Sequence, residues 1–330
     1  MSHLSIPYPE EDMEFILRKT GDHLKNLDGS SILLTGGTGF VGSWMLQFLT
    51  YASANLRIDI SLDVVTRHSD SIFNKQYPSV RFIQHDLRLP LDFDDKDYSH
   101  VMFASTPSSP TTGGLDADLV LRSSISGTRN LLELLEKRNR SVKYLNTSSG
   151  AVKKVRGPGL NQDHSINDVY ATAKYEVEKL LVEASNNSKI KFCSPRLYSF
   201  AGPGIALDAH FAIGNFIQNA MAGKDVILKG SPETVRSYLH PIDMTIQLLD
   251  CWLGESSLPF PDIGSFNKIK LFDLAHFVSS TLGNGKVIIL DNSQLPSVYV
   301  PDLLTPSLNH QYISLEETIE RWFLWLSLRI

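Results

Sequence analysis

A glycine-rich stretch near the N-terminus limits what this chain can fold into more than any other feature. Residues 35–42 read Thr-Gly-Gly-Thr-Gly-Phe-Val-Gly, between an apolar run and an apolar segment with helical periodicity. In a strand–turn–helix unit for a dinucleotide pyrophosphate, Gly36 permits the tight turn, Gly39 lets the backbone approach the phosphates and Gly42 lets the helix pack closely. The spacing is G-x-x-G-x-x-G, so a plain strand-to-helix connection is also compatible with it. The phosphate-loop interpretation predicts cofactor contacts from Gly36, Thr38, Gly39, Phe40 and Val41.

Composition and charge narrow the class of protein. The 330 residues are 42% hydrophobic and 20% charged, which suits one large α/β domain with a smaller lobe. A formal net charge of -5 gives no reason to expect nucleic acid or a membrane as partner. The ten histidines show no ligand spacing, so no metal is expected. Two cysteines in apolar runs, together with no recognisable signal peptide or membrane span, predict a cytoplasmic protein.

Strands and helices alternate along the chain. Strands are predicted at residues 32–34, 58–66, 80–84, 100–104, 143–146, 190–194, 226–228 and 236–243. Helices are predicted at residues 120–137, 170–181, 209–222, 244–253, 271–282 and 315–326. This rhythm predicts an α/β fold, a Rossmann-type doubly wound parallel sheet with a smaller C-terminal α/β substrate-binding lobe.

Three regions follow from this pattern. Residues 1–29 form an N-terminal helical arm that packs on the domain or on a second subunit. Residues 30–195 form the dinucleotide-binding domain, and residues 196–330 form mainly the substrate lobe, with some elements interleaved with the first domain.

The end of the second predicted strand bears on the choice of cofactor. An acidic residue at this position would bind the adenosine ribose hydroxyls of NAD, whereas an arginine can hold the 2′-phosphate of NADP. The chain has Thr66 and Arg67 there and no acid. This favours NADP over NAD, although an arginine at this place can also serve as a wall against adenine.

Two further loops are predicted to contact the cofactor. Asp86 and Leu87 follow the third strand, where a carboxylate can meet the adenine amino group; a cap of the local turn fits Asp86 equally well. Ala104, Ser105 and Thr106 follow the fourth strand, beside the expected phosphates and nicotinamide ribose.

Tyr170 and Lys174 are one helical turn apart and therefore share a helix face. A nearby ammonium and an oxidised nicotinamide both favour the phenolate, which would bring the phenol pKa from about 10 toward neutral. Such a tyrosine can exchange a proton with a substrate hydroxyl or ketone, and Ser149 can bind the same oxygen. Lys174 would also hold the ribose hydroxyls. Taken alone, the pair is more typical of a surface helix than of an active site, and its position after a strand with a serine and after a glycine-rich first turn favours the active site.

With these residues in view, the sequence resembles the extended short-chain dehydrogenase/reductases, specifically the nucleotide-sugar epimerase/dehydratase group, from Ser31 onward. The stretches that carry the resemblance are residues 35–42, Ser126-Gly127-Thr128-Arg129-Asn130-Leu131-Leu132-Glu133, Thr147-Ser148-Ser149, the Tyr170/Lys174 pair, Arg196-Leu197-Tyr198-Ser199-Phe200-Ala201-Gly202-Pro203, and Val235-Arg236-Ser237-Tyr238-Leu239-His240-Pro241-Ile242-Asp243.

The resemblance implies roles for particular residues. Ser149, Tyr170 and Lys174 would be catalytic. Ser149, Tyr198, Asn215 and Arg236 would contact a nucleotide-sugar substrate, Arg236 at its diphosphate; a structural ion pair is the alternative for Arg236. The resemblance also implies a homodimer formed through helices 120–137 and 170–183.

Departures from the family pattern narrow the expected reaction. The 4,6-dehydratases carry an Asp-Glu pair after the catalytic residue, whereas Ser149 is followed by Gly150 and Ala151. The leading hypothesis is an NAD(P)-dependent nucleotide-sugar epimerase, with an NADPH-dependent keto-sugar reductase as alternative; a non-catalytic dinucleotide-binding protein is the other class. Lys153 and Lys154, next in line, are expected to be solvated rather than to meet an anionic substrate.

Overall fold

The computed structural model describes residues 7–67, 75–91, 96–106, 117–155, 166–207, 211–254, 258–283, 285–291, 295–302 and 313–328. Its centre is a six-stranded sheet in which every pair of neighbours is parallel. The strands, from one edge to the other, are β3 (Arg81–Gln84), β2 (Ile60–Thr66), β1 (Ser30–Thr35), β4 (His100–Phe103), β5 (Val142–Asn146) and β7 (Ile190–Cys193). The strand order reverses between β1 and β4, which makes the carboxyl ends of these strands the place where an open α/β sheet binds its ligand.

Helices cover both faces of this sheet. The described helices are α1 (Glu10–Leu24), α2 (Phe40–Leu56), α3 (Ala117–Arg138), α4 (Ile166–Asn187), α5 (Ala212–Met221), α6 (Pro241–Leu253), α7 (Leu271–Leu282) and α8 (Leu315–Ser327). Short 3₁₀ turns add Lys25–Leu27 and Gly150–Lys154. Within the described ranges, no helix is both long and apolar enough to cross a bilayer.

Successive residues of the central strands pack on opposite sides. In β1, Ile32 and Leu34 belong to one apolar cluster and Leu33 to the other, as the period of two in a strand requires. Both faces are buried, which explains why the strand is a continuous apolar run. The predicted doubly wound parallel sheet is confirmed.

Short strands outside the main sheet carry much of the candidate site. They form three small sheets with the orders β11-β8-β6, β12-β10-β14 and β13-β9. Their bounds are β6 (Ser148–Ser149), β8 (Arg196–Leu197), β9 (Val226–Lys229), β10 (Val235–Ser237), β11 (Asp262–Ile263), β12 (Lys268–Lys270), β13 (Val287–Asp291) and β14 (Val298–Tyr299).

The N-terminal arm packs on the main domain. Helix α1 lies against α6 and α2, and the Tyr8 ring stacks on Trp44 with 4.2 Å between ring centroids. Buried Asp12 receives a hydrogen bond of 2.9 Å from Arg321 on α8. The arm therefore joins the C-terminal helix to the first crossover.

Four of the predicted boundaries of strands and helices were wrong. The strand predicted at residues 236–243 ends at Ser237, and the following helix begins at Pro241 rather than Met244. The reason is a cap: the His240 ring accepts a hydrogen bond of 3.1 Å from the Ile242 N–H, and proline suits the first helical position. Likewise, helix α4 begins at Ile166, one turn before Tyr170, and continues to Asn187.

Candidate active site

The turn after β1 accepts only glycine at two of its positions. Gly36 has φ +73°, and a Cβ on it would lie 2.4 Å from the carbonyl oxygen of Ala104. A Cβ on Gly42 would lie 2.2 Å from the Gly36 carbonyl oxygen, so α2 can approach the turn this closely only because Gly42 has no side chain. Helix α2 starts after Gly39, and no described side chain caps its first turn. The free amides and the bare turn fit a pyrophosphate.

Strand β2 ends at Thr66 and is followed by Arg67. Arg67 is exposed, and its carbonyl oxygen accepts a hydrogen bond of 3.3 Å from Gln84. The acid of this strand, Asp63, is buried, and it is bound by Lys96 at 2.8 Å and by Tyr98 at 2.8 Å. The carboxylate of Asp63 is therefore a structural element.

Asp86 is engaged by a neighbouring arginine. Arg88 donates from Nε to both carboxylate oxygens at 3.0 Å, and its backbone N–H donates to Oδ1 at 3.0 Å. These hydrogen bonds lower the pKa of Asp86 to about 2. This geometry is the turn cap that the sequence left open, and an adenine contact stays a prediction. Leu87 is buried next to Gly127, where an added Cβ would lie 3.3 Å from the Leu87 Cβ.

Lys174 points to the carboxyl ends of β4 and β5. Its Nζ donates to Thr106 Oγ1 at 2.9 Å and to the carbonyl oxygen of Thr147. The same Nζ lies 5.8 Å from the centroid of the Tyr170 ring. Burial lowers the pKa of the Lys174 ammonium to about 7. The helix that carries Tyr170 is therefore joined to the loop expected to line the cofactor.

Ser149 lies at the end of β6 and joins the cluster. Its side chain lies near the Tyr170 phenol and lowers the pKa of that phenol, and its Oγ accepts a hydrogen bond of 3.2 Å from the Ala151 N–H. Burial raises the pKa of the Tyr170 phenol. The sequence led us to expect Lys174 to bring this pKa toward neutral. In the protein alone burial prevails, and the phenol is neutral at neutral pH.

Arg236 has neutral partners. Its guanidinium donates to the carbonyl oxygens of Val235 at 2.9 Å and Ser297 at 3.1 Å, and to Ser297 Oγ at 3.0 Å. It has no salt bridge to a carboxylate of the described residues, so the ion-pair alternative finds no support there. Burial lowers the pKa of Arg236, as expected for a cation without an opposite charge. Such a group is available to an anion.

The side chains of Tyr198 and Asn215 make different contacts. The Tyr198 ring lies 4.9 Å from that of Tyr299, and its hydroxyl donates to Asp262 at 3.4 Å. Asn215 lies in the first turn of α5, where its amide donates to the Phe211 carbonyl oxygen at 3.1 Å. A substrate contact by either residue stays a prediction.

Lys153 is exposed, as expected for a solvated lysine, but it also forms two ion pairs. Its Nζ lies 2.5 Å from Asp262 and 2.9 Å from Asp302, and these carboxylates hold its pKa above the usual range. Lys154 is exposed, and its Nζ lies 5.8 Å from the centroid of the Tyr299 ring.

Sequence reasoning missed Tyr299, whose hydroxyl lies 3.1 Å from Ser149 Oγ. It also missed the network in which Glu178 accepts two hydrogen bonds from Arg196 and one from Ser148. No local spacing marks these residues, because long-range strand pairing brings them together. The short Val298-Tyr299-Val300 run was the single available signal.

The glycine turn at the first crossover and the Ser-Tyr-Lys cluster at the carboxyl edge of a parallel sheet define an extended short-chain dehydrogenase/reductase. Residues 32–249 match the model of the NAD dependent epimerase/dehydratase family, and the chain belongs to that family.

Known proteins support this assignment. UDP-glucuronic acid decarboxylase 4 of Arabidopsis thaliana is 22% identical over 270 residues, which are 80% of this chain but 60% of the relative's length. The structure of UDP-glucose 4-epimerase from Thermotoga maritima with UDP-glucose has a TM-score of 0.73 at 18% identity, covering 91% of this chain and 99% of the other. The structure of UDP-glucuronic acid 4-epimerase from Bacillus cereus with UDP-glucuronic acid and NAD has a TM-score of 0.71 at 17% identity, covering 91% and 100%. At these identities the shared property of the solved structures is the fold.

Proposed function

We propose that this chain is an NAD(P)-dependent nucleotide-sugar epimerase, which oxidises a sugar hydroxyl to a ketone and reduces the ketone again on its other face. The observation that carries the proposal is the Ser149–Tyr170–Lys174 cluster, joined to the loop after β4 through the Lys174–Thr106 hydrogen bond. A cluster that merely stabilised the fold would not need a buried lysine without a carboxylate salt bridge among the described residues.

Each residue has a task in this reaction. The nicotinamide, when bound, accepts and returns hydride. Tyr170 Oη takes the proton of the sugar hydroxyl and later gives it back, while Ser149 binds the same sugar oxygen. Lys174 holds the ribose hydroxyls, and its charge favours the phenolate form of Tyr170. Arg236 binds the diphosphate of the substrate, since a guanidinium fork matches phosphate oxygens.

One observation supports NADP as the cofactor, and a different observation supports NAD. Arg67 is exposed directly after β2, where it interacts electrostatically with Asp86, and an arginine at this place supports NADP. The NAD in the related structure from Bacillus cereus supports NAD. Dissociation constants of both cofactors, measured on one preparation, decide between them.

A keto-sugar reductase is the second candidate, and the same Arg67 tip favours it because a reductase exchanges NADPH in every cycle. The discriminating measurement is turnover with no added dinucleotide. An epimerase that carries its cofactor converts substrate under this condition, whereas a reductase needs added NADPH.

We also propose that the protein is a homodimer formed through α3 and α4. These helices pack against each other, and α4 leaves Tyr175 and Val182 about 40% exposed, at 37% and 41%. Light scattering of the purified chain tests this, and Val182→Glu is expected to shift a dimer toward monomer.

The central experiment combines a ligand screen with one variant. UDP-, dTDP-, GDP- and CDP-sugars are tested by thermal shift in the presence of each dinucleotide, and each stabilising sugar is then tested for turnover. Tyr170→Phe is expected to keep cofactor binding and to lose turnover. Unchanged turnover in this variant would refute the proposed function and favour a non-catalytic role for the cluster.

A further inference from the structure

A second phenol, that of Tyr299, lies beside Ser149. The Tyr299 hydroxyl is 3.1 Å from Ser149 Oγ, and either oxygen can be the donor. It is also 3.2 Å from the carbonyl oxygen of Leu197, to which it can donate. Ser149 also lies near the Tyr170 phenol and lowers its pKa, so the three hydroxyls can form a series that ends at a backbone carbonyl. Ser149 is thus near two phenols at once.

The position of Tyr299 is fixed by the segment that carries it. Strand β14 pairs with β10 in parallel register, with Tyr299 opposite Arg236. Three residues further on, Asp302 holds Lys153 at 2.9 Å. The Tyr299 ring itself packs against Tyr198. Because strand pairing, ring packing and an ion pair all hold this segment, the Tyr299 oxygen is a preorganised partner for Ser149.

The hydroxyls of the series can donate their hydrogen bonds in either direction along it, and no heavy atom has to move for the direction to change. While Tyr170 is protonated, it can donate to Ser149, Ser149 can donate to Tyr299, and Tyr299 can donate to the carbonyl oxygen of Leu197. Once Tyr170 is a phenolate, Ser149 must donate to it, and Tyr299 can then turn its hydrogen from Leu197 to Ser149. The phenolate form of the series holds one proton fewer, namely the proton that Tyr170 exchanges with the sugar oxygen, and each hydrogen bond polarises the next.

We propose that Tyr299 is a positioning residue of this active site: it acts through Ser149 and stabilises the phenolate form of Tyr170 by donating to the serine that donates to that phenolate. This inference rests on the proposed function. It assigns to the second phenol a role in the oxidation and reduction steps, in which the protonation state of Tyr170 changes.

Charged groups around the three hydroxyls also influence how their protonation depends on pH. On the Tyr170 side stands Lys174, 5.8 Å from the ring. On the Tyr299 side stand Arg236 from β10, Lys154 after Ser149, and Asp262 from β11 with its Lys153 partner. Replacing the Tyr299 hydroxyl by hydrogen leaves all of these groups in place, so a change in the pH profile reports on the hydroxyl series.

The first test is Tyr299→Phe, which keeps the ring against Tyr198 and removes the donor. We expect the pH profile of kcat/KM to shift its acidic limb upward by about one unit, hence about a tenfold loss below that limb and recovery to near wild-type rate above it. Tyr51→Phe on α2 is the matched control, because it removes a phenol hydroxyl far from the cluster. A loss that is the same at every pH, or no loss, would overturn the proposal.

The second test asks whether Tyr299 acts through Ser149. In the Ser149→Ala background, Tyr299→Phe is expected to change kcat/KM by less than about twofold, because the connection is already broken. Multiplying losses in the double variant would contradict the proposal. If Tyr170→Phe loses turnover while Tyr299→Phe keeps the wild-type pH profile, this inference alone fails; if Tyr170→Phe keeps turnover, the proposed function fails as well.

Discussion

Lys174 Nζ donates to Thr106 Oγ1 at 2.9 Å and thereby joins helix α4, which also carries Tyr170, to the loop that leaves β4. The lysine is 2% exposed and has no salt bridge to a carboxylate of the described chain. A buried ammonium in such a place lowers the free energy of unfolding, and this cost supports a role for Lys174 in the proposed reaction.

The first prediction concerns the stability of this site. Lys174→Met is expected to lose turnover and yet to raise the free energy of unfolding by about 1 kcal/mol or more at pH 6, since the buried charge is removed. The folded lysine has its pKa lowered to about 7, while the unfolded one keeps its proton to about pH 10. Wild-type stability therefore rises with pH between these values, and the advantage of the variant shrinks from pH 6 to pH 9.

Urea unfolding at several pH values measures this difference. Lys137→Met, at an exposed position of α3, controls for the loss of a lysine in general. A stability difference that does not depend on pH would mean that the charge of Lys174 is not the cause.

The second prediction concerns the glycine turn. Gly36→Ala is expected to lower the free energy of unfolding by more than about 2 kcal/mol, because strain at φ +73° adds to a Cβ only 2.4 Å from a carbonyl oxygen. Gly223→Ala is the matched control, with φ +65° and nothing within 4 Å of its Cβ. It is expected to cost about 1 kcal/mol, from backbone strain alone. Equal losses in the two variants would show that the close approach to Ala104 is not what restricts position 36.

The third prediction concerns Arg236. Arg236→Ala is expected to raise KM for a nucleotide sugar by about 10- to 100-fold, since a charge-assisted contact contributes about 1.5–3 kcal/mol. Because the diphosphate is remote from the reacting hydroxyl, kcat is expected to change less than KM. Arg236→Lys restores the charge without the fork and is expected to recover part of the loss. An unchanged KM in the alanine variant would remove Arg236 from the substrate site.

The fourth prediction concerns cofactor choice. Arg67→Ala is expected to weaken NADPH binding by about tenfold while leaving NADH binding within about twofold, because the guanidinium would face the 2′-phosphate that only NADPH carries. Fluorescence titration of both reduced cofactors measures the ratio. Equal weakening of the two would indicate that Arg67 packs against adenine instead.

The sequence predicted those features that depend on local patterns. The alternation of β1, α2 and β2 gives the parallel sheet, and the roles of Gly36 and Gly42 follow from their spacing to the strand and helix. The start of α6 at Pro241 was missed, because the cap comes from the His240 ring nitrogen rather than from a usual capping side chain.

Contacts between segments that are distant in the sequence could not be predicted from local sequence patterns. Tyr299 reaches Ser149 across 150 residues of chain through the pairing of β14 with β10. Lys153 likewise forms ion pairs with Asp262 and Asp302, which are distant from it in the sequence. Each contact depends on which short strands become neighbours, and periodicity within one segment carries no information about that.

Gly150 directly follows Ser149, and a Cβ built on it would lie 2.5 Å from the Tyr198 ring. The position at which dehydratases of the resembled family carry an acid is thus filled by an aromatic ring from a neighbouring strand. Introducing the Asp-Glu pair after Ser149 therefore also requires a smaller residue in place of Tyr198, because any side chain at position 150 would overlap the tyrosine ring.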